Sequence, residues 1–125
     1  MRLSGIACIG LLGLTGCEVF KVEVLNAVVN QGYACGVTAD YRNEEDRRFD
    51  TPVLYVAAKR TGSNQTKFDE VTGHYDISSS KIDIIGAYPR IVDEEHENSA
   101  RDVVRNCAIA ATSETHLDIN KKAKQ

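Results

Sequence analysis

Between Tyr33 and Tyr41 the chain alternates strictly: Tyr33, Cys35, Val37, Ala39 and Tyr41 fall on one side, and Ala34, Gly36, Thr38 and Asp40 on the other. A period of two is the mark of a half-buried strand, and it places Cys35 on the buried face. Phe20, Val22 and Val24 alternate in the same way with Lys21 and Glu23, which predicts a strand with its valines turned inward. Residues 43–50 are strongly charged and read as a loop, followed by an apolar strand through Val53, Leu54, Tyr55 and Val56. Thr61-Gly62-Ser63-Asn64 has the composition of a turn. Weaker strands are expected at 67–71, 74–77 and 81–85, broken at Gly73 and at Ser78-Ser79-Ser80, so the whole reads as an antiparallel meander.

Residues 99–112 admit two readings. As a helix they set Ala100, Val103, Val104, Cys107, Ala108 and Ala111 in one continuous apolar stripe. Ser99 and Asp102 stand where a capping box would have them, the preceding acidic run suits a helix N-terminus, and the alanine content favours helix. Asn106 lies off the stripe and is expected to be exposed. The expected fold is therefore α+β, a small antiparallel sheet packed on one helix near residues 99–112, with a last strand through His116, Leu117, Asp118 and Ile119. As a strand, 99–112 would instead complete some seven short strands with two distant cysteines. That pattern resembles an all-β immunoglobulin-like sandwich, although the chain has no Trp and carries Arg105 where the family places a tyrosine before its second cysteine.

The first residues have a different character. Arg2 is followed by the apolar run Ile6-Ala7-Cys8-Ile9-Gly10-Leu11-Leu12-Gly13-Leu14 and then by Thr15-Gly16-Cys17. A short basic region, a brief apolar stretch and a small-residue exit describe an export signal, and the run is too short to span a bilayer core of about 30 Å. Leu14-Thr15-Gly16-Cys17 resembles the lipobox of bacterial lipoprotein precursors. That resemblance implies a signal peptide over 1–16, removed before Cys17, and a mature domain over 17–125 whose Cys17 thiol carries a diacylglycerol. Two or more acyl chains, each contributing about 0.8 kcal/mol per buried CH₂, would anchor the protein to a membrane without a spanning helix. Glu18, in place of the aspartate associated with inner-membrane retention, points to the outer membrane, facing the periplasm.

Of the four cysteines, Cys8 would leave with the signal and Cys17 would be lipidated, which leaves Cys35 and Cys107. Two thiols in an oxidising compartment read as one disulfide; the alternative, a redox or metal-binding pair, lacks the Cys-x-x-Cys spacing. The mature part holds 109 residues, enough for one modest core, and carries an excess of four acidic over basic residues. Such a balance offers no electrostatic case for nucleic acid.

Several polar groups are candidates for chemistry. Asp93-Glu94-Glu95-His96-Glu97 lacks the spacing of known cation loops and reads as a solvated acidic loop. His74 with Asp76, and His116 with Asp118, would each share a strand face as a histidine and its orienting carboxylate do, but neither has a nucleophile at suitable spacing. Ser78, Ser79 and Ser80 lie outside any Gly-x-Ser-x-Gly elbow. Asn64-Gln65-Thr66 has the form of a glycosylation sequon, here only a sign of an exposed loop. The basic tail Lys121-Lys122-Ala123-Lys124-Gln125 reads as a solvated terminus. No cofactor or metal is expected. The expected function is that of a membrane-anchored, non-catalytic envelope accessory or protein-binding module. The alternatives are a protective lipoprotein that blocks a phage, toxin or cell-wall hydrolase, and, less favoured for want of a catalytic constellation, an enzyme or metal carrier.

Overall fold

The computed structural model describes residues 22–41 and 51–123. The expected signal, Cys17, Phe20, Lys21, the charged loop at 43–50 and the last two residues of the basic tail lie outside the described residues. Five strands form one antiparallel sheet in chain order: β1 (Val22–Asn30), β2 (Tyr33–Asp40), β3 (Val53–Arg60), β4 (Glu70–Asp76) and β5 (Lys81–Tyr88). Helix α1 (Glu94–Thr112) packs across one face, and a short α2 (Ile119–Ala123) closes the chain. The fold is the expected α+β arrangement, with an open sheet rather than a sandwich.

The alternation in β2 holds. Tyr33, Cys35, Val37 and Ala39 are buried against the helix, while Ala34 and Gly36 face away from it. β1 and β2 are joined by a two-residue turn at Gln31 and Gly32, both with positive φ, as a twisted hairpin favours. The core lies between the sheet and the stripe Ala100, Val104, Cys107, Ala108 and Ala111, with Leu54, Val56, Val71 and Tyr75 opposite. Cys35 and Cys107 are joined by a disulfide, both ends nearly fully buried. The expected pairing is thus present, and it ties the second strand to the helix.

Four local expectations change. First, α1 begins at Glu94, so the acidic segment is its first turn rather than a loop, and the cap is Asp93 rather than Ser99. The Asp93 carboxylate accepts the backbone N–H of His96 at 2.8 Å, and Glu94, Glu95 and Glu97 stand where the helix dipole favours negative charge. Ser99 lies in the second turn, where no free N–H remains to be capped. Asn106 is only half-exposed, and its amide donates to the Gln31 side chain at 3.1 Å.

Second, Gly73 does not break a strand; β4 runs through it, merging the two weak strands expected at 67–71 and 74–77. A Cβ there would stand 2.8 Å from the Asp83 carbonyl oxygen and 2.9 Å from Val104 Cγ2. The missing side chain is therefore what lets the helix approach the sheet. Third, His116, Leu117, Asp118 and Ile119 form no strand. Leu117 and Ile119 are buried under a turn, Ile119 N–H donates to Thr112 Oγ1, and Asp118 accepts the Lys121 N–H ahead of α2. Two alternations are too few to distinguish a strand from a turn followed by a helix.

Fourth, Val22 and Val24 do share a face, but it is the face away from the helix. Glu23 turns the other way, and its Oε1 accepts the Tyr41 hydroxyl at 2.8 Å. A bulge follows: Leu25 and Asn26 together oppose Val37, which returns Val28 to the core side and lets the Asn26 amide donate to the Ala111 carbonyl.

The cap has a consequence in acid. The His96 backbone N–H holds the Asp93 carboxyl below its ordinary value; partial desolvation pulls the other way, and the His96 side chain and Lys67 add to the lowering. A lowered carboxyl pKa stabilises the fold above the ordinary carboxylate range and loses that contribution as pH falls through the folded value. Asp93→Ala is expected to lower the thermal midpoint at neutral pH, with the gap to the parent narrowing in strongly acidic solution. Melts across pH read this directly; a gap independent of pH would assign the effect to something other than the charged cap.

Candidate protein-binding face

On the side of the sheet opposite α1 no described helix packs, although Asp40 at one end of that side is buried. Strand register arranges its side chains in four rows running across all five strands. The outer row at one end is Val29, Ala34, Lys59, Glu70 and Tyr88. Next comes Ala27, Gly36, Ala57, Thr72 and Gly86, then Val24, Thr38, Tyr55, His74 and Asp83, and last Val22, Asp40, Val53, Asp76 and Lys81.

The second row is small from edge to edge, so it forms a trough across the strands. Beside it Val24, Tyr55 and Ile85 make a ridge, Ile85 being the extra residue of a bulge in β5. A shallow depression of about 350 Å³ opens between them, lined by Gly36, Thr38, Tyr55, Ala57, Thr72 and Ile85. Val24 is 81% exposed, Val29 71%, Tyr88 66%, Ile85 58% and Tyr55 42%. One face thus gathers five of the six large exposed apolar side chains among the described residues, the sixth being Val92. An antiparallel sheet normally meets water with polar residues. Here the half formed by β1, β2 and Tyr55 to Ala57 carries one charged residue, Asp40, buried at its end, and Lys59, Glu70, Asp76, Lys81 and Asp83 lie toward the rim.

Both edge strands are blunted, β1 by the bulge at Leu25 and Asn26 and β5 by the bulge at Ile85. Arg101 further covers the β5 edge by donating to the Ile82 carbonyl, while its other arm pairs with Glu97 at 2.8 Å. A cleft of about 530 Å³ lies there between β5 and α1, but Glu97 and Arg101 already satisfy each other within it. Edges guarded against strand addition and a bare apolar face are opposite treatments of the same sheet.

The polar residues that the sequence offers for chemistry are not brought together. His74 packs against Tyr55, ring centroids 4.2 Å apart and planes tilted by 57°, while Asp76 accepts from Ser78 N–H and Oγ in the turn between β4 and β5. His116 Nε2 lies 3.3 Å from the Tyr41 hydroxyl; since that hydroxyl donates to Glu23, Nε2–H is the donor. Asp118 is occupied with backbone N–H groups. Among the described residues no three His, Cys, Asp or Glu side chains are grouped as metal ligands, and no helix is long and apolar enough to cross a membrane. The face itself escapes sequence reading, because Val22 and Val24 look like core and Ala27, Ala34 and Ala57 carry little signal. Comparison with protein-family models, with curated proteins and with solved structures found no match.

Proposed function

We propose that this chain is a lipid-anchored envelope lipoprotein whose domain serves as a non-catalytic protein-binding module, with the open sheet face as its binding surface. The observation that carries the reading is that face: Val24, Val29, Tyr55, Ile85 and Tyr88 stand exposed on one side of a sheet whose edges are guarded. Exposed apolar patches of this kind are protein-interaction surfaces. The lipobox-like Leu14-Thr15-Gly16-Cys17 supports the anchor, and Glu18 in place of an aspartate supports outer-membrane attachment with the domain facing the periplasm.

Two measurements test the two halves. Cys17→Ser is expected to abolish incorporation of radiolabelled palmitate and to release the protein from the membrane fraction; label retained by the variant would overturn the anchor. A photoreactive residue at Val24 is expected to capture protein in intact cells, and the same residue at Ser79, in the exposed turn at the sheet's end, is expected not to. Absence of any protein adduct at Val24, or equal capture at both sites, would overturn the binding face.

A further inference from the structure

We infer that the occupant of the open sheet face is a second copy of this chain, packed face to face about a twofold axis that runs across the strands between the trough and the ridge. The inference rests on the binding-face reading and supplies its partner. Three features of the face support it.

The first is shape. A twofold interface must be complementary to itself, so a ridge on one copy needs a trough on the same surface at the symmetry-related place. The row of Val24 and Tyr55, with Ile85 beside it, lies next to the row of Ala27, Gly36, Ala57, Thr72 and Gly86. An axis passing at Val56 brings each row over the other, β1 over β1 and β5 over β5. Tyr55 of one copy then enters the depression at Gly36 and Ala57 of the other, and the exchange is mutual. An axis along the strands would set trough on trough and leave a void.

The second is area. Five strands about 4.8 Å apart and about eight residues long at about 3.3 Å each give a face of roughly 600 Å². Because the end at Asp40 is already buried, two such faces bury at most roughly 1,200 Å², the size of a small or transient interface, and sheets pack readily at about 30° to one another.

The third is charge and placement. The two outer rows come over each other at the rim, with Val29 over Val22, Tyr88 over Lys81 in a cation–π geometry, and Ala34 over the already buried Asp40. Glu70 comes over Asp76, a like-charge contact in solvent flanked by Lys59 and Lys81. The same axis leaves both β1 edges on one side of the pair.

The test uses the full chain, expressed with two different tags and purified in detergent. Parent copies are expected to co-purify and to sediment as dimers. Ala57→Trp fills the trough, and Tyr55→Ala removes the ridge; each alone is expected to weaken association at least about tenfold. Co-expressed, the two variants are expected to recover much of it, because the indole introduced at position 57 of one copy meets the space left at position 55 of the other. Circular dichroism and an intact Cys35–Cys107 bridge check that each variant folds. Monomeric parent protein, or two variants that do not rescue each other, would overturn the twofold. If the Val24 photoadduct contains only a different protein, the second-copy inference fails while the binding face stands; if there is no adduct at all, both fail.

Discussion

Replacing Cys35 by alanine is expected to lower the unfolding free energy by about 4 kcal/mol, the chain-entropy value for a loop of this size. Replacing Cys107 should cost about the same. The bridge closes a loop whose ends are 72 residues apart and joins two buried positions, one on β2 and one on α1. A loop opened at one end is fully open, so the double replacement should be little worse than either single one. Denaturant melts of the three variants decide the matter: costs that add would show that the cysteines contribute through separate packing. Titration of the parent with a thiol reagent in denaturant, without reductant, should find neither thiol free.

Phe68→Ala should be of similar severity, about 3–5 kcal/mol, in line with phenylalanine truncation in other cores. Among the described residues Phe68 is the largest fully buried side chain, at 1% exposure, yet it stands outside the regular strands, in the segment before β4. Its N–H donates to the Tyr33 hydroxyl at 3.2 Å, its carbonyl accepts Thr66 Oγ1, and its ring meets His96 edge-on. It therefore pins the connection between β3 and β4 beneath the first turn of the helix. Phe68→Leu, which keeps most of the volume, should cost much less. An alanine variant within about 1 kcal/mol of the parent would show that this connection repacks freely rather than belonging to the core.

What was legible followed from periodicity. Tyr33 to Tyr41 alternates over enough residues to fix both the strand and the burial of Cys35, and the stripe from Ala100 to Ala111 fixes the helix and its contact face. The helix start was hidden because Glu94 to Glu97 carry no apolar residue for periodicity to use; the signal available was Asp93 placed three residues before His96. Gly73 looked like punctuation because its role is set by Val104, distant in the chain and adjacent in space. The open face was the least legible feature. A bulge shifts the β1 register after Val24, and a sheet apolar on both sides leaves alternation unable to say which side is covered.

The order of the strands in the sheet is their order in the chain, so every β-pairing joins neighbours in sequence, while α1 touches all five strands. Such local pairings close quickly. Cys107 enters only after the last strand, so its bond to Cys35 seals a sheet whose hairpins are already available rather than guiding their pairing. Its contribution accordingly belongs to the rate at which the finished domain opens, not to the rate at which the sheet forms.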